Sequence, residues 1–151
     1  MALEQFNGPV ILEIPSDPAS LFIVRALVSK LAERIGFVRE QSDRLVLATD
    51  EACTNVIRHA YGGGQHERII LTFFVNLDYF EIDIRDFGPG ADPASFQSRA
   101  LEQIRPGGLG MHFIKAAFDK IDYDAPPDGG MLLKLIKFRP KQETGKSENP
   151  R

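Results

Sequence analysis

A chain of 151 residues, 43% of them hydrophobic, can fill one compact core and is too short for two ordinary domains or for a bilobal protein kinase. Its 18 basic and 21 acidic residues leave a net charge of −3, and no basic stripe alternates with aromatics, so nucleic acid is not the expected partner. A single cysteine excludes an intrachain disulfide and a cysteine-built zinc cluster, and no apolar run approaches the ~20 residues of a membrane span, so a cytoplasmic protein without membrane contact is expected.

The first predicted element is PVILEIP, Pro9 to Pro15, a short apolar strand with a proline at each end. Ser16-Asp17-Pro18 then supplies cap residues and a proline suited to a first helical turn. Leu21, Val24, Leu27, Val28, Leu31 and Ile35 follow at helical spacing, and Gly36 ends the run. That stripe is expected to face the core, with a partner-binding surface as the alternative.

A second helix is expected from Ser42 or Asp43 to Gly62-Gly63-Gly64, through DRLVLATDEACTNVIRHAY. Leu45, Ala48, Ala52 and Val56 can face the core, while Arg44, Glu51, Asn55 and Arg58 fall together on another side. Cys53 lies within this pattern and is expected to be a small buried hydrophobe.

RIILTFFVN, Arg68 to Asn76, predicts a buried strand, and YFEIDIRD alternates strictly, with Phe80, Ile82 and Ile84 on one face. The two-residue link Leu77-Asp78 predicts an antiparallel hairpin between them. From Gly88 to Arg105 the periodicity fades, although ASFQSRALEQI could hold a short helix, and a loop of that length inside a compact domain is usually functional or mobile. RPGGLGMHFIKAAFDK then predicts a glycine cluster feeding a helix. IDYD and MLLKLIKF are the last predicted strands, joined by APPDGG. Residues 1–138 are thus expected to form one domain, and the polar stretch 139–151 a disordered tail.

Strands cluster in this order and helices do not alternate with them one to one, which argues against a doubly wound parallel sheet. The expected class is an α+β two-layer sandwich, with a mixed, mostly antiparallel sheet and helices on one face.

Three constellations carry chemistry. Glu51 and Asn55 stand one helical turn apart, a carboxylate and an amide able to act as general base and metal ligand, although surface helices often carry such pairs for solvation alone. Asp86 closes a strand ahead of Gly88-Pro89-Gly90. Such an aspartate can accept a hydrogen bond from a ligand amino group while the glycines let the backbone pass close to a flat ring, and a plain Gly-Pro turn is the alternative. Arg105-Pro106-Gly107-Gly108-Leu109-Gly110 opens a helix, where bare amides bind phosphate, or else it is a flexible hinge. No Gly-Lys-Ser/Thr follows, so this is not a Walker A loop. Asp86-Phe87-Gly88 also spells the metal-binding DFG of eukaryotic protein kinases, but no His-Arg-Asp loop precedes it and the glycine-rich segment comes after it.

Together, DEACTNVIRHAYGGG, RDFGPG and PGGLGMHFIK resemble, in order, the N, G1 and G2 boxes of the GHKL ATPase superfamily, with its histidine-kinase-like Bergerat fold. The Glu-Ala-x-x-Asn form of the first box is similar to that of the bacterial anti-sigma-factor serine/threonine-protein kinases, and the resemblance spans roughly Ile11 to Phe138. It implies ATP and Mg²⁺ as cofactors, Glu51 as the catalytic base toward a serine hydroxyl, and Asn55 as the Mg²⁺ ligand. It implies that Asp86 binds the adenine amino group, flanked by Gly88 and Gly90, and that Gly108 and Gly110 lie near the phosphates with Arg105 as a candidate phosphate contact. His59 matches a common position of the family and, like His112, is assigned to packing rather than chemistry. Relatives usually open the last strand with Gly-Thr or Gly-Ser, whose hydroxyl helps bind nucleotide, where this chain has Gly130-Met131.

The implied function is a serine protein kinase that binds a sigma factor and phosphorylates a small antagonist of the anti-sigma factor, with a homodimer as the implied assembly. Met131 motivates the alternative, a switch module that acts by protein contact and binds ATP weakly or not at all. The ATP-binding half of a histidine kinase is a third reading, disfavoured because no helix pair with a phosphorylatable histidine is seen ahead of the first strand.

Overall fold

The computed structural model describes residues 2–89 and 109–141. Its first strand, β1, is Val10–Pro15, followed by one 3-10 turn at Pro18–Ser20 and helix α1, Leu21–Ile35. Asp17 starts that turn: its carboxylate accepts the amide of Ala19 at 2.9 Å. Gly36 stops α1 in the left-handed region, at φ 105°, where its amide reaches the carbonyls of Ala32 and Glu33.

Helix α2, Arg39–Asn55, begins three residues before Ser42. No side chain caps it; instead the carbonyl of extended Val38 accepts the amide of Ser42 at 3.0 Å, which leaves Ser42 buried inside the first turn. The helix does not run unbroken to the glycines. It passes at Val56–Ala60 into a π-type turn, closed by the Tyr61 amide on the Val56 carbonyl at 3.2 Å. Strands β2, Arg68–Val75, and β3, Tyr79–Arg85, form the expected hairpin. Helix α3, Leu109–Ala117, and strands β4, Lys120–Asp124, and β5, Leu132–Phe138, complete the described fold.

The five strands lie in the order β1-β2-β3-β5-β4, and each neighbouring pair is antiparallel. The expected sheet, mixed and mostly antiparallel, is antiparallel throughout among the described residues. The reason is a split crossover. β3 and β4 run the same way, but β5 inserts between them and opposes both.

One face of the sheet carries the core. Ile69, Leu71 and Phe73 of β2, Phe80, Ile82 and Ile84 of β3, and Leu135 of β5 are buried with side chains from all three helices, among them Val24, Leu45, Ala48 and Ile114. Cys53 lies in the same core, and its thiol is pushed up to about 12 by burial, with the charge of Asp50 adding to the effect. It is the inert hydrophobe expected of its position.

Arg139, assigned to the tail by its sequence, belongs to the folded unit. Its guanidinium donates to the carbonyls of Leu3 (2.5 Å), Asn76 (2.6 Å) and Glu4, which ties the N-terminal segment to the β2–β3 link. The rest of the expected tail, from residue 142, lies outside the described residues.

The face turned away from the helices is half-exposed and holds an unresolved charge. Asp83 stands opposite Thr72 and Lys134, but Lys134 pairs with Asp124 at 3.4 Å. The Oδ1 of Asp83 is buried without a partner. Burial, reinforced by Glu81 beside it, raises the carboxyl to about 7 from its ordinary 3.8. A raised acid is stabilising while neutral, so this contribution is full below the ordinary value and is lost as pH rises through about 7. Asp83→Asn, neutral throughout, is expected to raise the melting temperature relative to wild type more at about pH 8 than at about pH 4. Thermal denaturation at the two pH values checks this, and an equal difference at both would sink it.

Candidate functional site

The turn after β3 is where the chain's elements converge. Asp86 is buried, and its Oδ1 accepts two backbone amides, Gly88 at 3.1 Å and Met131 at 3.3 Å. Among the described residues no protein donor meets its Oδ2. The carboxylate is thus held by one oxygen and open to a ligand at the other. Burial raises its pKa; the two amides, and then the Arg85 charge, oppose the rise.

Two glycines make this turn possible. A Cβ on Gly88 would stand 2.6 Å from the carbonyl oxygen of Ala60, and one on Gly130 would stand 2.0 Å from that of Asp86. Gly130 also has φ 72°, a conformation that L side chains resist. The Asp86 turn is therefore clamped between the π-type turn that ends α2 and the turn that opens β5.

Above it lies a partly open cleft with an enclosed volume of about 80 Å³. Asp86 and Asn55 both line it, with apolar walls from Val56, Ile84, Ile114 and Leu133. Apolar walls with a few polar groups to fix orientation are the usual lining of a small-molecule site. The walls suit a flat ring, and Asp86 stands ready for an exocyclic amino group. The side chain of Asn55 makes no hydrogen bond among the described residues, so its carboxamide is available to a ligand. Glu51 lies one turn back on α2, half-buried, outside the cleft lining, and likewise without an ion pair or hydrogen bond among the described residues. The core face of α2 is Leu45, Ala48 and Ala52, as its spacing predicts, while Val56 is half-buried and serves as cleft wall.

Gly90, Arg105 and Gly108 lie outside the described residues, and Gly110 falls in the first turn of α3. No group of three or more His, Cys, Asp or Glu that could hold a metal occurs among the described residues. Mg²⁺ fits nonetheless, since it is commonly held by one or two protein oxygens plus the phosphates of a nucleotide. Asn55 is the residue placed to contribute.

Both histidines lie exposed rather than against the core. His59 is exposed and lines the cleft, because the wider π-type turn moves its side chain off the core-facing register of α2. His112 is exposed on α3, its ring edge-on to Phe113 at 6.3 Å. Met131 lines the cleft too, so the side chain at this position is apolar where a hydroxyl is usual, while its backbone amide serves Asp86. Sequence reasoning missed Tyr123, which lines the cleft from β4 and donates its hydroxyl to the Met111 sulfur at 3.7 Å. The alternation in IDYD, which sends Ile121 and Tyr123 to one face, was the signal available.

An antiparallel open sheet, helices on one face and an aspartate-floored cleft between α2 and β5 define a GHKL-type ATPase fold. Residues 14–137 match the histidine kinase-like ATPase domain. The serine-protein kinase RsbW of Bacillus pumilus (strain SAFR-032) is 31% identical over 137 residues, covering 84% of this chain and 83% of that protein. The protein of the same name from Halalkalibacterium halodurans is 30% identical over 140 residues, covering 87% and 84%. The crystal structure of the SiaB-SiaC complex from Pseudomonas aeruginosa contains a chain of similar fold, with TM-score 0.63 at 12% identity and coverage of 88% and 89%. The chain belongs to the histidine kinase-like ATPase family, with the RsbW serine-protein kinases as its relatives.

An amino group is best accepted by an ionised carboxylate, and burial makes Asp86 protonate at a higher pH than an ordinary aspartate. ATP affinity is therefore expected to fall on mild acidification. Asp86→Asn should weaken ATP about tenfold near pH 8 and flatten this dependence. Titration calorimetry of both proteins between about pH 5 and 8 checks it, with the variant as baseline for protonation of the phosphates. Parallel profiles in the two proteins would remove Asp86 from the site.

Proposed function

We propose that this protein is an ATP-dependent serine/threonine-protein kinase and anti-sigma factor, which binds a sigma factor and phosphorylates a serine of a small antagonist protein. The observation that carries the proposal is Asp86: one oxygen pinned by two amides, the other open to the same apolar cleft that Asn55 lines. Membership in a family whose named relatives are serine-protein kinases supports the reaction type.

In this reading Asp86 holds the adenine amino group and the apolar walls hold the ring. Asn55 contributes to the Mg²⁺ site, where the ion supplies charge neutralisation for the phosphates. Gly88 and Gly90 flank Asp86 on the adenine side, and Gly108, Gly110 and Arg105 belong to the phosphate side. Glu51, unpaired and one turn from Asn55, accepts the proton of the target serine as its oxygen bonds to the γ-phosphorus and ADP leaves. Catalysis of this kind is mostly positioning and charge stabilisation.

A homodimer belongs to the same reading. The sheet face turned away from the helices leaves Ile70, Phe74 and Ile136 half-exposed and Ile11 exposed among charged residues such as Glu81 and Lys134, apolar side chains that a second copy would cover. The protein would act in the cytoplasm, where sigma factors act. Among the described residues no helix is long and apolar enough to cross a membrane.

Met131 favours a second reading, a switch that works by protein contact without transferring phosphate. Calorimetry with Mg-ATP separates the two, since micromolar binding supports the kinase. Transfer from γ-labelled ATP to a small antagonist protein is the direct test. Glu51→Ala is expected to lower transfer by about 100-fold or more while ATP binding persists. Full transfer by that variant would remove Glu51 as the base.

A further inference from the structure

The peptide unit that follows Asp86 is gripped at both ends. Its carbonyl, that of Asp86, accepts Arg85 Nη1 at 3.0 Å, and the same nitrogen donates to the Gly129 carbonyl at 2.7 Å. Its N–H, that of Phe87, donates to the Tyr61 hydroxyl at 2.7 Å, which in turn donates to the Arg68 carbonyl at 2.6 Å. The Phe87 ring lies between two guanidiniums, with the Arg68 carbon 4.0 Å and the Arg85 carbon 4.6 Å from its centroid. This peptide plane is held at both ends, and the one before it is held by the Asp86 amide, which donates to the Met131 carbonyl at 3.0 Å, so the Cα–Cβ direction of Asp86 is fixed between them.

Tyr61 is the one member of this set that comes from the α2 side. It follows the π-type turn directly, so its hydroxyl joins the end of α2, the start of β2 and the turn after β3. We propose that Tyr61 is a positioning residue for base recognition: its hydroxyl sets the orientation of Asp86 and so the preference of the cleft for a purine with a 6-amino group. The inference rests on the nucleotide reading of the cleft given above. Burial, as the leading cause, raises the phenol above its ordinary value, so the hydroxyl stays protonated as the donor to Arg68.

The test compares ATP with purine riboside triphosphate, which carries hydrogen in place of the 6-amino group. Tyr61→Phe keeps the ring and removes both hydrogen bonds. It should weaken ATP about tenfold, change the purine analogue by less than about twofold, and so erase most of the discrimination between them. A packing role would weaken both nucleotides alike, so equal losses, or no loss for ATP, overturn the proposal. Wild-type protein that binds the two nucleotides equally overturns the reading of Asp86 itself, and the proposal with it. If Tyr61→Phe loses cooperative unfolding, Arg85→Lys frees the other end of the same peptide. It should show the same selective loss for ATP, and equal losses there overturn the proposal.

Discussion

The contact between the Asp86 turn and its two flanking turns is the constraint on which the rest of the site depends. Backbone meets backbone there with no room for a Cβ at Gly88 or Gly130. The approach brings the Met131 amide within reach of the Asp86 carboxylate and places Ala60 against the turn from the other side. It also sets the cleft geometry, because α2 and β5 each enter it through residues adjacent to those contacts. A substitution that separates these turns would move Asp86 and Asn55 relative to each other, although neither residue had changed.

Burying a carboxylate at such a point is costly unless its oxygens are satisfied. Two amides and a neighbouring arginine offset part of that cost, and burial still prevails in the direction of the pKa. The remaining oxygen is what gives a ligand donor its leverage, since a hydrogen bond to a partly desolvated carboxylate is stronger than one made in water. Asp83 provides the internal comparison. It is a half-buried aspartate on β3, three residues before Asp86, but its neighbours are Glu81 and a lysine engaged with Asp124, and no amide reaches its buried oxygen. The two positions thus differ in their amides rather than in burial alone.

The strands, the three helices and the β2–β3 hairpin were legible because hydrophobic period reports which face is buried. The strict alternation of Phe80, Ile82 and Ile84 predicted their burial outright. Asn55, Asp86 and Gly88 were legible as a site only through the order of three motifs, for each alone resembles an ordinary surface pair or turn. Three features were not legible. The π-type turn at Val56–Ala60 leaves no mark in residue spacing, so the place of His59 could not be read. Arg139 is a polar residue in a polar stretch, and its carbonyl partners are distant in sequence. That the sheet is wholly rather than mostly antiparallel among the described residues depended on β5 inserting between β3 and β4, a long-range choice that local pattern does not encode.

Met131 separates two roles that the usual threonine or serine at this position combines. Its amide bonds to Asp86 Oδ1, and any residue but proline could supply that contact. Its side chain forms cleft wall, and there the chemistry has changed from a hydroxyl to a thioether. The framework that holds Asp86 is thus untouched by the replacement, and what is lost is a side-chain polar contact to a ligand. Such a contact is worth about 0.5–1.5 kcal/mol net when both partners are neutral. Apolar contact of a methionine with a purine ring recovers part of it, because the thioether is polarizable and adapts its shape. In the proposed nucleotide reading the substitution therefore bears on affinity, by about tenfold at most, while recognition of the base is assigned to Asp86 and the residues that orient it.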